Sequence, residues 1–173
     1  ESRIAQMGVK YSVLRPHYFM QNYLSLLKVD ADGAVTLEAP ANDGGIGAID
    51  AYDIGESAAA LLASGNALND HALLTGPENI SMSRVAEAFS GAIGRKITYV
   101  NLDHEKYRSE LDADSPGSAG DIEDVYEEVR VGTMALHSDN VERITGNTPR
   151  SIEQFATENA DSIHAAIEAA AKN

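Results

Sequence analysis

The feature that most narrows the fold of this chain is an alternation. Short apolar or β-branched runs of strand length are interleaved with segments whose apolar residues recur every three to four positions, and most carry a helix start or stop signal. Ile4 and Met7, followed by Gly8, read as the tail of an amphipathic helix. Val9 to Leu14, closed by Arg15-Pro16, reads as a buried strand, and the helix before it makes parallel pairing the expectation. Residues 17–27 read as a loop passing into a helix. Val35 with Leu37, and Ile46 to Ile49, are short strand candidates, each preceded by a turn sequence, Asp30-Ala31-Asp32-Gly33 and Asn42-Asp43-Gly44-Gly45. Asp53-Ile54-Gly55-Glu56 has the pattern of a capping box and opens a helix that runs through Ala58, Leu61 and Leu62 to Ala63.

The second half repeats the pattern. Ala72 to Thr75 is a strand closed by Gly76-Pro77; Ser81 or Ser83 caps a helix with Val85, Phe89 and Ile93 on one face and Gly94 as its stop. Ile97 to Leu102 reads as a strand, and Asp103 as the cap of a helix with Tyr107 and Leu111. Residues 112–121 are rich in Asp, Ser, Gly and Pro with no apolar period and read as a mobile loop. Then come a helix with Ile122, Val125, Tyr126 and Val129 on one face, a short helix with Val141 and Ile144 ending at Gly146, and a last helix opened by Ser151-Ile152-Glu153-Gln154 that carries Phe155, Ile163 and Ile167. Strands alternating with helices define an α/β chain. No strand here leads through G-x-G-x-x-G or G-x-x-G-x-x-G into a helix, the arrangement that seats a dinucleotide's phosphates.

Composition excludes several classes. The net charge of −14 opposes a phosphate backbone, so no nucleic-acid partner is expected. No run of apolar residues is long enough to span a bilayer, and no membrane partner is expected. Without cysteine there is no disulfide, thiolate metal site or Cys nucleophile, which fits a cytoplasmic protein. Histidines 17, 71, 104, 137 and 164 lack ligand spacing, so the metal expectation is none. Asp30-Ala31-Asp32-Gly33 places Gly fourth, where a calcium loop needs it sixth, and reads as a tight turn. Gly44-Gly45-Ile46-Gly47 leads into a strand, offers no helix N-terminus to an anion, and reads as a turn too. The N-terminus has no signal-peptide pattern, lacks Met and opens directly in a helical pattern, so a cut edge is expected there.

Val13-Leu14-Arg15-Pro16-His17-Tyr18-Phe19-Met20-Gln21-Asn22 resembles the RPgyFMqN segment of NmrA-like atypical short-chain dehydrogenases. Four further blocks resemble the same family in the same order: Ile46 to Gly55, Leu73 to Glu78, Ala92 to Val100, and Thr145 to Ser151 with Phe155. The resemblance implies the C-terminal half of a Rossmann-type parallel sheet plus a small α/β substrate subdomain. Residues 1–30 would close the Rossmann-type domain, and 31–173 would hold the last strands and the subdomain, with the loop at 112–121 beside the substrate. The family's glycine-rich loop, adenosine-ribose site and Tyr-x-x-x-Lys pair would then lie upstream of Glu1. Catalytic residues are therefore unknown in this chain. NADP or NAD is implied for the complete protein, and none for this chain alone.

Ligands of open α/β sheets bind beyond the carboxyl ends of strands, where Arg15 to Asn22 leaves. Pro16 fixes the direction of that loop, and backbone groups near His17, Tyr18 and Phe19 are candidates for holding a carboxamide; by resemblance the loop flanks a nicotinamide. Met20, Asn22 and Tyr23 would face the substrate, with Phe19 and Met20 excluding water. The competing reading is that Tyr18, Phe19 and Tyr23 only pack over the sheet. His17 is either a proton donor or a partly exposed loop histidine, the second being favoured. Asp50 and Tyr52, two apart on a short strand, share a face and border the substrate cleft in one reading, while Asp53 is better explained as a helix cap.

Three functions follow. The first is an NAD(P)-dependent oxidoreductase acting on a quinone or small carbonyl substrate, its dinucleotide half lying outside this chain. The second is a non-catalytic NAD(P) redox sensor. The third is a cofactor-free binding protein, if these residues are the whole molecule. In that case the strand at residues 10–15 would be an open apolar edge needing a homodimer partner or a complementing N-terminal segment.

Overall fold

The structure, a computed structural model, describes residues 1–107, 109 and 119–172. Helix α1 (Ser2–Gln6) ends as expected at Gly8, whose φ of +67° is open to glycine without strain. The strand that follows is β1, Val13–Pro16, and not 9–14. The reason is its partner. Strand β1 lies parallel to the four residues His71–Leu74, which form a later strand, with Val13 opposite His71 and Pro16 opposite Leu74. The Val13 amide donates to the Asp70 carbonyl and the His17 amide to the Leu74 carbonyl, so alternate residues turn Leu14 and Pro16 toward the other edge. Proline, with no N–H to offer, therefore sits where no strand among the described residues asks for one. Among the described residues β1 has no second neighbour.

A 3-10 segment, Met20–Leu26, leads into β2 (Leu27–Val29), which runs antiparallel to β3 (Val35–Ala39). Their connection is the tight turn expected at residues 30–33: the Asp30 carboxylate accepts from the amides of Asp32 at 3.0 Å and Ala34 at 2.7 Å. Residues 46–49 form no regular strand. Ile46 bridges Ile80 and Ile49 bridges Phe19 in isolation. This segment is threaded past the turn after residue 129, and a Cβ at Gly44 or Gly47 would collide with the carbonyls of Val129 and Leu136. Its glycines serve that close approach of two backbones.

Helix α2 spans Ala51–Ser64, three positions earlier than the sequence pattern predicts. Its cap is Asp50, whose carboxylate accepts from the Tyr52 amide at 3.1 Å, and not Asp53. Then follow β4 (His71–Leu74), α3 (Met82–Ile93) capped by Ser81 and closed at Gly94, and β5 (Ile97–Asn101), parallel to β3. Asp103 caps the next helical turn through the Lys106 amide at 2.9 Å. Leu111 and residues 112–118 of the expected mobile loop lie outside the described residues, while 119–121 open helix α4 (Ala119–Arg130).

Helix α5 (Asn140–Thr145) closes at Gly146. The expected last helix is two, α6 (Ile152–Glu158), opened by the Ser151/Gln154 capping box, and α7 (Ala160–Ala170). They part at Asn159, which takes a non-helical ψ of 23° and whose side chain donates to the Phe155 carbonyl at 2.9 Å, the local competition that makes asparagine a poor interior residue. The main core lies between the mixed sheet β2-β3-β5 and helices α3, α6 and α7, where Leu37, Val85, Phe89, Ile152, Phe155 and Ile163 are fully buried. A smaller cluster of Ile49, Ala72, Leu74 and Val141 underlies β1 and β4. Among the described residues no helix is long and apolar enough to cross a membrane.

Candidate functional site

The loop leaving β1 is pinned on both sides. On one, the His17 amide donates to the Leu74 carbonyl at 2.9 Å; on the other, Tyr18 accepts from the Ile49 amide at 2.8 Å and the Met20 amide donates back to Ile49 at 2.9 Å. The Tyr18 amide is taken up by Nδ1 of His17 at 2.8 Å. Of the backbone donors expected to be available from His17 to Phe19, those of His17 and Tyr18 are therefore engaged. The Phe19 amide, facing away from Ile49 by strand alternation, has no acceptor among the described residues.

The side chains divide in the same way. Phe19 is 38% exposed and Asn22 is exposed, whereas Met20 and Tyr23 are fully buried and support the loop from behind. His17 is partly buried, and burial lowers its pKa, so the ring is neutral near neutral pH with its proton on Nε2. Beside the loop lies a cavity of about 380 Å³ lined by Tyr18, Asn22, Leu26, Tyr107, Val125 and Tyr126. The Tyr107 and Tyr126 rings meet edge-on, their centroids 5.7 Å apart. Burial pushes Tyr18 up to about 12 and raises Tyr107 and Tyr126 as well, so all remain neutral phenols. Tyr107 and Tyr126 were legible from sequence only as apolar-face residues. Their hydroxyls were the missed signal, since a buried phenol needs a polar partner where a Phe or Leu does not.

Asp50 and Tyr52 do not share a strand face. Asp50, the buried cap of α2, also accepts from the Gln21 side chain at 2.6 Å, and Gln21 in turn accepts from the Ala51 amide at 3.2 Å, so the loop and the start of α2 are joined through Gln21. Tyr52, 61% exposed, lies under the Arg150 guanidinium, 3.7 Å from its ring centroid. Asp53 receives both the Arg150 backbone amide at 2.8 Å and its guanidinium at 2.7 Å, and Glu158 takes the Nε of Arg150 at 2.9 Å. Burial opposes the charge of Arg150, but its hydrogen bonds to Glu158 and Asp53 outweigh that and raise its pKa. Burial likewise pushes the Asp53 carboxyl up, against the pull of Arg150. Sequence reasoning missed Arg150 because its partners lie in α2, nearly a hundred residues earlier.

This architecture has known relatives. Residues 1–165 match the model of the NmrA-like family. An uncharacterized oxidoreductase, YesF, of Bacillus subtilis is 32% identical over 156 residues, covering 87% of this chain and 54% of that protein. The structure is similar to that of the NADPH-dependent quinone oxidoreductase QOR2 of Escherichia coli complexed with NADPH, with a TM-score of 0.73 at 19% identity over 91% of this chain and 56% of that one. It is also similar to that of NmrA, a negative transcriptional regulator in complex with NADP, with a TM-score of 0.64 at 22% identity over 91% and 54% of the respective chains. The chain thus spans about half the length of the curated relatives it matches. Its α/β fold, with parallel pairing in both sheets, is that of NmrA-like Rossmann-type reductases, and the chain belongs to the NmrA-like family.

Proposed function

We propose that these residues form the substrate side of an NAD(P)-dependent reductase, with the loop from Arg15 to Tyr23 lining the nicotinamide end of the cofactor. The observation that carries the reading is the Phe19 amide, a donor without an acceptor among the described residues, placed beyond the carboxyl end of a parallel strand and on the same loop as a phenol-lined cavity. A single N–H donor suits the oxygen of a nicotinamide carboxamide, and the chain has no glycine-rich turn leading into a helix to cradle the phosphates. The phosphate and adenosine sites would belong to polypeptide outside these residues.

When bound, the reduced nicotinamide would supply the hydride. The chain would hold the carboxamide at Phe19, fix the loop's direction with Pro16, keep water out with the Phe19 ring, and present the substrate from the cavity. A quinone or small carbonyl compound is the substrate class this reading supports, in keeping with the activity of the Escherichia coli relative. The packing of Tyr18 against Tyr23, ring centroids 5.3 Å apart, anchors the loop without closing the cavity.

The test uses the polypeptide extended to the length of its relatives. Phe19 has φ −81°, a value proline adopts, so Phe19→Pro removes the donor while sparing the backbone path. Compared with Phe19→Ala, which loses the ring and keeps the N–H, it is expected to weaken NAD(P)H binding about tenfold, the value of one net hydrogen bond to a ligand. Equal affinity in the two variants would remove the assignment. Tight binding with no reduction of any quinone or carbonyl would leave the regulatory reading in its place.

A further inference from the structure

The loop leaving β1 follows the chain at residues 49–51 and is attached there twice. The first attachment is main-chain and involves one residue: Ile49 donates to the Tyr18 carbonyl at 2.8 Å and accepts from the Met20 amide at 2.9 Å. That pair is an isolated bridge with no ladder on either side, so it fixes where the loop sits and leaves its tilt about Ile49 unset. The second attachment is the Gln21 side chain. Its Nε2 donates to Oδ1 of Asp50 at 2.6 Å, and its Oε1 accepts from the Ala51 amide at 3.2 Å. The Phe19 carbonyl accepts from the Asn22 amide at 3.0 Å, which closes the turn containing Gln21 and ties its backbone to that of Phe19.

Both partners of Gln21 are stationary. Asp50 is 3% exposed, and its Oδ1 also caps α2 through the Tyr52 amide. A hydrogen bond to a charged acceptor is of the stronger kind. Ala51 opens α2, and a first-turn amide has no acceptor within its own helix. Only a carboxamide sets a donor and an acceptor side by side; a carboxylate lacks the donor, and asparagine is one methylene shorter. We infer that Gln21 is a positioning residue for this site: by clamping the loop to the first residues of α2 it fixes the direction in which the Phe19 amide is presented to a ligand. It acts through Phe19 and touches no ligand itself. The inference rests on the reading of this loop as the nicotinamide end, and it adds what holds the donor in place.

A purely structural role has a different consequence. Were Gln21 needed only to satisfy the first amide of α2, Gln21→Glu would serve as well, because it keeps that acceptor and adds a negative charge at a helix N-terminus. What it loses is the donor to Asp50. A protonated Glu regains an O–H for Asp50 and keeps a carbonyl for Ala51, and two carboxylates sharing a site raise the pKa of one. The other charged groups at this junction are Arg150, whose Nε lies 3.9 Å from Asp50, and Asp53 and Glu158, which hold that guanidinium. His17, on the loop, is common to parent and variants, so each affinity is compared with the parent's at the same pH.

The experiment has two arms. In the first, the polypeptide extended to the length of its relatives is titrated calorimetrically with NADP at about pH 8 and about pH 5.5. Gln21→Glu is expected to bind about tenfold more weakly than the parent at the higher pH and within about twofold of it at the lower. Gln21→Met, which cannot ionise and forms neither bond, should stay about tenfold weaker at both, and it serves if Gln21→Glu does not fold. In the second arm, without cofactor, hydrogen exchange of the Met20 amide is followed in the 173-residue chain, where Gln21→Met should exchange about tenfold faster than the parent. Parent-like affinity of Gln21→Met, no recovery of Gln21→Glu at the lower pH, or unchanged exchange would each overturn the inference. The Phe19 comparison stays separate. Equal affinity of Phe19→Pro and Phe19→Ala removes the nicotinamide assignment, whereas a difference between them beside a parent-like Gln21→Met removes the positioning role alone.

Discussion

At the scale of single residues, the strongest statement concerns Arg150. Its guanidinium is committed to Asp53 and Glu158 while stacked on Tyr52, and Asp53 is buried. Removing one partner of a buried pair leaves an uncompensated charge, so Arg150→Ala is expected to cost about 3–5 kcal/mol in urea unfolding at pH 7. Without the guanidinium, burial and the Asp50 charge act on Asp53 against the backbone amide of residue 150 alone, and its folded pKa rises further above the unfolded value. A raised carboxyl takes up a proton more readily folded than unfolded, so the deficit should shrink as pH falls toward 5; a deficit that grows instead would contradict the assignment. His17 behaves in the opposite sense. Its folded pKa is lowered by burial below 6.5, so its contribution is present above that pH and lost as pH falls through the folded value. A second proton would also break the bond from the Tyr18 amide to Nδ1. His17→Asn, which keeps an acceptor and cannot ionise, should flatten the slope of unfolding free energy below pH 6.5 relative to the parent.

At the scale of elements, what is local was readable and what is shared was not. Ser81, Gly94, Gly146 and the Ser151/Gln154 box mark helix ends through bonds spanning a few residues, and they stand where the sequence places them. Ser151→Ala is expected to lower stability by about 1 kcal/mol, measurable by thermal melting. Asp50 and Asp53 both suit the start of α2, and the local pattern favours the wrong one. Arg150, arriving from the far end of the chain, takes Asp53, and Asp50 is left to cap. Residues 46–49 look like a strand because they are apolar and β-branched at the ends, yet among the described residues they form only isolated bridges, to Phe19 and Ile80. Gly47→Ala tests the reason offered. A methyl group there meets the Leu136 carbonyl, and a destabilisation of about 1–3 kcal/mol by overpacking is expected where a solvent-facing glycine such as Gly55 would show none.

Over the whole molecule, the open edge of β1 has company. Met7 is 70% and Leu62 84% exposed, and Ile4 and Val9 are exposed on the same N-terminal segment. A groove of about 390 Å³ between the start of β1 and the end of α2, lined by Tyr11, Leu14, Leu61 and Leu62, adds apolar surface. Such a surface, next to unpaired strand groups, promotes association. The chain is therefore expected to self-associate with rising concentration in sedimentation velocity, and Met7→Glu with Leu62→Glu to shift it toward the monomer; a parent that stays monomeric throughout would remove the expectation. The candidate site divides along the same line. The loop after Pro16 could be found from sequence, because a strand closed by Arg-Pro announces its own end. The cavity beside it could not, because Tyr107 and Tyr126 meet Tyr18 across more than eighty residues of chain.

The amino-acid sequence by itself determined the α/β alternation, most helix ends, the turn at Asp30 and the family to which the chain belongs. These depend on side-chain periodicity and on bonds between near neighbours. Only the tertiary structure decided where β1 begins, which aspartate caps α2, that the last helix breaks at Asn159, which loop amide lacks an acceptor and which phenols gather at the cavity. Pairing, ion-pair choice and donor counting are set by partners distant in sequence, and a local pattern carries no information about which distant group arrives.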